Sequence, residues 1–418
     1  EATRLLRRGL GPLEKLPPTR AVLEQRLALS SLLGPALIAV KGPGAAETQD
    51  LYNNAYSLSQ DLPEDSAHFP IYWGWWRLSR DFQVKQQRAQ TLLIRARRRA
   101  DPELLLQAHH CNWANCYASA QFDECRTHIS AGLALYQQGD YRHHARLYGN
   151  HDAKVCAHGE MAQLEWIQGR PLSALQQEAQ SRAWAETIDH LGSRVHAMDM
   201  RLLHRAYRRE HEHVFALSGE MASFASEHAL ADHRVKALIF RGWTVALQGD
   251  PVAGLRILQE GMEAQTDIGT TEDLAVYLCL LAEAFKAAGQ ADKAVETLAR
   301  EKAAFESFGY RIFMPELLRV LARMMLSADP RATEPARAAL EEARVMAEQQ
   351  HAAMLGLRIA VTRARLDQAD RPEEALRRLE LALARVTEDD GGIDLTTARQ
   401  LVGELRRRTG NPRLVTGG

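Results

Sequence analysis

Cysteine is scarce in this chain of 418 residues: Cys111, Cys116, Cys125, Cys156 and Cys279 are an odd number, widely scattered. That excludes a disulfide framework and fits a reducing, cytoplasmic setting. A charge bias is also lacking. The 52 Lys and Arg balance 53 Asp and Glu, for a formal charge of −1. A nucleic-acid or anionic-membrane partner calls for a clear basic excess, so neither is expected. No apolar run approaches the roughly 18 residues of a membrane span. Catalytic motifs are missing too. The phosphate-loop pattern is absent, and the nearest glycine cluster, Gly42-Pro43-Gly44, has no lysine to reach phosphates, so it reads as a helix-to-helix turn. With no HExxH, GxSxG or CxxC, this segment is expected to be non-catalytic, with no cofactor and no metal.

What the chain does have is a period. Apparent turns fall near Gly42, Asp81, Gln121, Gly169, Arg209, Gly249, Gly289, Asp329, Asp370 and Gly410, at spacings of 39, 40, 48, 40, 40, 40, 40, 41 and 40 residues. A fixed period in this range is the mark of a solenoid. Between turns the pattern is helical: Leu274, Tyr277, Leu278, Leu281 and Phe285 share one face. Gly169-Arg170-Pro171 and Gly249-Asp250-Pro251 end one helix and open the next. No stretch has strand patterning. Small residues recur five positions after the turn (Ala174, Gly254, Ala294, Ala375) and seven before it (Gly242, Ala282), where two helices would approach closely. The expected fold is all-α, a right-handed α-α superhelix of about nine to ten helix pairs, running as one array over 1–410 with a flexible tail at 411–418. The start inside a helical pattern, with apolar Leu5, Leu6, Leu10 and Leu13, is read as a surface that once docked on a preceding domain.

The unit at 121–169 is longer than the rest. Its extra residues lie in 138–152, and insertions of this kind either form loops on the binding face or are tolerated extensions. They include His143, His144, Tyr148 and His151, a candidate ligand-contacting or pH-sensitive loop together with His158. The densest Cys/His region, from His109 to His128, has poor metal spacing and reads as buried thiols and packing histidines. Trp73, Trp75 and Trp76 read as two inward residues and one lining a groove. Arg95 to Arg99 reads as a cationic helix end. The acidic stretch from Glu388 lacks the ligand alternation of a calcium loop, and Asp394 reads as the N-cap of the last helix.

The small residues on either side of a turn glycine resemble tetratricopeptide repeats with lengthened helices. More closely, the order of Phe69-Pro70-Ile71-Tyr72-Trp73-Gly74-Trp75-Trp76, Gln107-Ala108-His109-His110, Gly132-Leu133-Ala134-Leu135-Tyr136, Leu147-Tyr148-Gly149-Asn150-His151-Asp152, Phe240-Arg241-Gly242-Trp243, Leu280-Leu281-Ala282-Glu283-Ala284 and Gly392-Ile393-Asp394-Leu395 resembles the C-terminal repeat region of bacterial multidomain signalling proteins with a STAND-type ATPase. Such proteins are linked to an adenylate/guanylate cyclase or to a DNA-binding regulator. The chain departs from that pattern at 310–317, which puts the geometry of this unit in question.

The resemblance implies a regulatory module without catalysis, holding a protein, a peptide or a small-molecule inducer in its groove and contacting an upstream ATPase domain. A related repeat region, in the maltose-regulon activator, binds an inducer sugar. The alternatives are a free-standing scaffold for a peptide or protein, or an enzyme in which His109, Cys116 and His128 converge. In the tetratricopeptide register the first helix of each pair lines the concave face. The candidate binding positions are then Cys111 and Asn115; Cys156, Gln163 and Trp166; Lys236, Ile239 and Trp243; and Val276, Cys279 and Glu283.

Overall fold

The computed structural model describes residues 1–63, 65–79, 81–269 and 273–410, apart from the side chains of 303 and 306–308. The expected tail at 411–418 lies outside them. The described residues form twenty α-helices and two short 3-10 turns, with no strand. In chain order the helices are α1 (Ala2–Glu14), α2 (Arg20–Lys41), α3 (Ala46–Gln60), α4 (Phe69–Arg77), α5 (Phe82–Arg99), α6 (Pro102–Ala118), α7 (Phe122–Tyr136), α8 (Ala153–Ile167), α9 (Pro171–Thr187) and α10 (Leu191–Tyr207). They continue as α11 (His211–Glu227), α12 (Ala231–Leu247), α13 (Pro251–Ile268), α14 (Leu274–Ala287), α15 (Ala291–Phe308), α16 (Met314–Ala328), α17 (Thr333–Gln349), α18 (Ala353–Asp367), α19 (Pro372–Leu383) and α20 (Ile393–Thr409).

Local chemistry sets these boundaries. The side chains of Asp81, Asp101, Asp152 and Asp250 accept first-turn backbone N–H groups, and Pro102, Pro171, Pro251 and Pro372 occupy first turns. Gly169, Gly249 and Gly289 supply left-handed turns, while Ala120 and Arg209 adopt the same conformation without glycine. Each such non-glycine residue costs roughly 1 kcal/mol. That is why a glycine search alone finds only some of the turns. Gly242 and Gly254 hold the α12–α13 crossing: a Cβ on Gly242 would lie 2.4 Å from the Leu258 nitrogen, and one on Gly254 2.2 Å from that of Ala246.

Each even-numbered helix from α2 to α20 touches the next even-numbered one, so these helices form the inner wall and the odd-numbered helices the outer. The α2 helix is long and apolar enough to cross a membrane by length and composition, contrary to the sequence expectation. Its apolarity follows from packing, because Leu23, Leu27, Leu33 and Leu37 are buried and it touches α1, α3, α4 and α12. On α1, Leu10 is buried with Leu33 and Leu37 of α2, and Leu5 stays exposed.

The contact of α2 with α12 and of α8 with α18 spans ten helices, so one superhelical turn takes five helix pairs. A backbone seam joins the two turns. Gly44 N–H donates to the Ile268 carbonyl at 3.0 Å, Arg311 and Ile312 N–H both donate to the Ala118 carbonyl at 2.9 and 3.0 Å, and Thr387 N–H donates to the Gly169 carbonyl at 3.0 Å. Ser173 adds two bonds to Glu388, at 2.8 and 2.6 Å. The segment at 310–317 is therefore not a damaged repeat. It reaches across to the other turn, with Phe313 in a left-handed conformation. Gly42-Pro43-Gly44 has a similar role: a Cβ on Gly44 would lie 2.3 Å from the Gly269 Cα, a clash with backbone.

Gly44→Val is therefore expected to lower stability by about 1–3 kcal/mol through overpacking. Gly356→Ala, where an added Cβ meets nothing within 4 Å, is expected to be neutral or slightly stabilising. Urea unfolding of both variants checks this, and equal stabilities would remove Gly44 from the seam.

Candidate functional site: two chambers on the superhelix axis

Inner-wall helices enclose two spaces. The N-terminal one, about 150 Å³, is lined from α2, α4, α6, α8, α10 and α12 and by the segment Gly149–His151. It gathers His110, His151, His196, His233, Cys156, Glu160, Asp232 and Lys236. Lys236 is buried and paired to Asp199 at 2.8 Å. The C-terminal one, about 440 Å³, is lined from α14, α16, α18 and α20 and by Arg209. An aromatic layer lies at the level between them. Tyr117 meets Tyr207, their hydroxyls 3.2 Å apart, and is also bonded to Gln163. Tyr207 stacks on Phe313 at 4.6 Å. A third cavity of about 750 Å³ crosses the seam near α17–α19, where Arg344 is bonded to both Glu341 and Glu348.

The C-terminal chamber has a strong charge pattern. Six cationic side chains line it: Arg209, Lys286, Arg319, Arg323, Arg358 and Arg365. Asp394 joins the lining, and Glu316 and Glu283 stand behind the arginines. Arg319 grips Glu316 with two bonds of 2.7 Å. Arg358 bonds Asp394 at 3.0 and 2.7 Å and lies 4.7 Å over the Trp166 ring. Arg209 donates to Glu283 at 2.6 Å, and Arg323 reaches the same oxygen at 3.3 Å. Among the described residues no carboxylate pairs with Lys286 or Arg365, both exposed at the mouth. Burial, then neighbouring Arg319, lowers the Arg323 guanidinium to about 10. Lys286 is lowered by burial and then by Arg323. A cation lowered by neighbouring cations favours an anion beside it.

Only part of the expected groove is open. Cys156, Gln163 and Lys236 line the N-terminal chamber. Cys111, Asn115, Ile239, Trp243, Val276 and Cys279 are buried in helix packing and line neither chamber, because longer helices bury more of the inner face. Trp166 is buried under Arg358, and Glu283 sits behind Arg209 while accepting from the Trp243 indole at 3.1 Å. The insertion does not project as a loop. His144 and Tyr148 are buried, Tyr148 with its ring 6.0 Å from that of Trp73, His143 is exposed, and only His151 reaches the chamber. His158 bonds Gln177 at 2.7 Å. Trp73 and Trp76 are buried, whereas Trp75 stacks on Tyr56 at 3.8 Å under Arg88. Asp394 is not an N-cap: Gly392 holds that place, and Asp394 pairs with Arg358 instead. His109 and His128 meet at 2.8 Å, but Cys116 joins no three-donor cluster among the described residues. The enzyme reading loses its constellation.

The cationic cluster was within reach of the sequence. Lys236, Ile239 and Trp243 become Val276, Cys279 and Glu283 after one period of 40, and a second step gives Glu316, Arg319 and Arg323.

No protein-family model matches the chain. A protein of Rhizobium meliloti, described as uncharacterized, is 31% identical over 333 residues, which cover 79% of this chain. The chain spans about a third of that relative, 32% of its length. Among solved structures, a Rap protein complexed with competence and sporulation factor is similar in fold, with a TM-score of 0.58 and 11% identity, over 92% of this chain and all of that one. The chain is an α-α solenoid of the tetratricopeptide type.

Glu283 gives the chamber a pH signature. Burial pushes its carboxyl up, and Arg209, then Arg323 and Arg319, more than reverse this and hold it at about 2. The unfolded chain then binds the proton more readily, so the stabilisation is complete above the ordinary value of 4.5 and is lost as pH falls toward about 2. Glu283→Gln is expected to flatten the acid limb of the stability–pH curve between those values. An unchanged slope in urea titrations would refute the assignment.

Proposed function

We propose that the chain is a non-catalytic regulatory binding module whose C-terminal chamber takes an anionic group of a peptide or protein partner. The cationic lining carries this reading. Buried Arg319 and Arg358 are fixed by carboxylates and shape the floor, while Arg365 and Lys286, with Arg323 held loosely by Glu283 beside them, would meet a carboxylate or phosphate at the mouth. Arginine forks suit such planar anions. A pocket on the inner wall of a solenoid also suits a partner lying along the groove. The Rap protein's complex with competence and sporulation factor supports a ligand-binding role for this fold.

We further propose that the module belongs to a longer signalling protein with a STAND-type ATPase and a cyclase or DNA-binding output, and that the groove controls that output. The motif order through the chain supports this, as does a relative three times as long as the matched region. A free-standing scaffold remains the second reading, and the reading frame upstream separates the two by the presence or absence of a phosphate loop.

Purified chain applied to a peptide array is expected to select sequences rich in Asp and Glu or ending in a free carboxylate. The Arg323→Ala/Arg365→Ala variant is expected to bind the selected peptides at least about tenfold more weakly, the loss of one or two charged hydrogen bonds. Selection of neutral peptides, or unchanged binding by the variant, would contradict the assignment of this chamber.

A further inference from the structure

The N-terminal chamber contains a chain of hydrogen bonds that fixes two imidazole tautomers. Glu103 is a carboxylate and can only accept, so His144 donates to it through Nε2–H at 3.2 Å. His144 Nδ1 then accepts from the Gln107 side-chain amide at 3.0 Å. That orientation turns Gln107 Oε1 toward His110 Nδ1 at 3.3 Å, so Nδ1 carries the proton and His110 Nε2 is a bare lone pair. On the other side, His151 Nδ1 can only donate to the Gly149 carbonyl at 3.1 Å, which turns its Nε2 toward His110. The two Nε2 atoms face each other at 3.4 Å. The His110 lone pair at that distance is met either by a proton shared between the rings or by a metal ion.

The spacing fits a particular cation. Nitrogens on a tetrahedral zinc, each at about 2.0 Å, stand about 3.3 Å apart. The third donor is Cys156 Sγ, and all three donor atoms lie within 4.8 Å of one another. Each imidazole has the outer partner that orients a metal ligand, Gln107 for His110 and the Gly149 carbonyl for His151. A second group, His196, Asp199 and His233, adjoins the first, since His151 and His196 stack with ring centroids 4.1 Å apart. Its Asp199 is already held by Lys236, so it is the weaker candidate.

We propose that His110 Nε2, His151 Nε2 and Cys156 Sγ bind a zinc-class divalent cation at the wall of the N-terminal chamber, with the fourth position open to that chamber. Binding converts the Cys156 thiol to a thiolate and releases one proton, accepted by nearby Glu160 or by solvent; the thiol lies 3.6 Å from the Glu160 carboxylate. The site joins α6, the inserted segment and α8. Metal occupancy therefore fastens the long connection to the inner wall and gives the module an input separate from the C-terminal groove.

Cobalt(II) added to the purified full chain tests this. The expected result is one equivalent bound, with the intense visible bands of tetrahedral cobalt and a sulfur-to-cobalt charge-transfer band displaced by zinc. Cys156→Ser is expected to abolish the charge-transfer band, whereas Cys116→Ser, outside the cluster, leaves it intact. Gln107→Leu, which frees the His110 tautomer, is expected to weaken binding by about 10- to 100-fold. Circular dichroism verifies that each variant folds. If Cys156→Ser does not fold, His151→Asn on the connecting segment decides, with loss of the tetrahedral bands expected. Weak octahedral spectra from the native chain would mean that the imidazoles share only a proton, and would overturn the proposal. So would a charge-transfer band that survives in Cys156→Ser or tetrahedral bands that survive in His151→Asn.

Discussion

The Ala118 carbonyl accepts two backbone N–H groups, from Arg311 and Ile312, across a gap of more than 190 residues. Bonds of this kind, repeated at Gly44 and at Thr387, turn a row of helix pairs into a closed object. In an open solenoid each unit mainly contacts its neighbours, and the groove is an exposed trough. Here each turn takes five pairs, so the second turn lies against the first and the groove becomes an enclosed axis. At residues 42 and 44 the chain lies so close to Ile268 and Gly269 that a Cβ would clash, and the glycines there follow from it.

Closure also divides the axis chemically. Tyr117, Tyr207 and Phe313 form a layer at one level, and Phe313 comes from the same segment that bridges the turns. In the N-terminal chamber the charge of imidazole is suppressed: burial first, then neighbouring His151, pushes His110 well below its usual range, and burial does the same to His196. In the C-terminal chamber the guanidinium groups are charged at neutral pH, Arg323 included, and crowd toward an open mouth. One fold thus offers a histidine-rich pocket of mixed charge and a cationic one, built from equivalent helices five pairs apart.

Periodicity made most of the fold legible. The turns at Gly169, Gly249 and Gly289, the prolines after them, and the small residues Gly242 and Gly254 each specify local geometry that the structure repeats. The seam was not legible, since nothing local to 310–317 or to Gly42-Pro43-Gly44 says what lies opposite. The groove was legible only in part. Of the register positions, Cys156, Gln163 and Lys236 line the N-terminal chamber, whereas Trp243 and Cys279 are buried against neighbours. The cationic chamber required one more step of the period. Of the histidine relay the sequence offered only His144 and His151, as members of a candidate loop; their meeting with His110 was not legible, because an insertion separates them from it.

Small-angle X-ray scattering tests the closed superhelix most directly, since both chambers depend on it. Two turns in contact predict a radius of gyration close to the compact value for this length, about 22 Å. A markedly larger radius, with the scattering of an elongated open spiral, would mean that the seam is not formed in solution, and would remove the enclosed chambers with it.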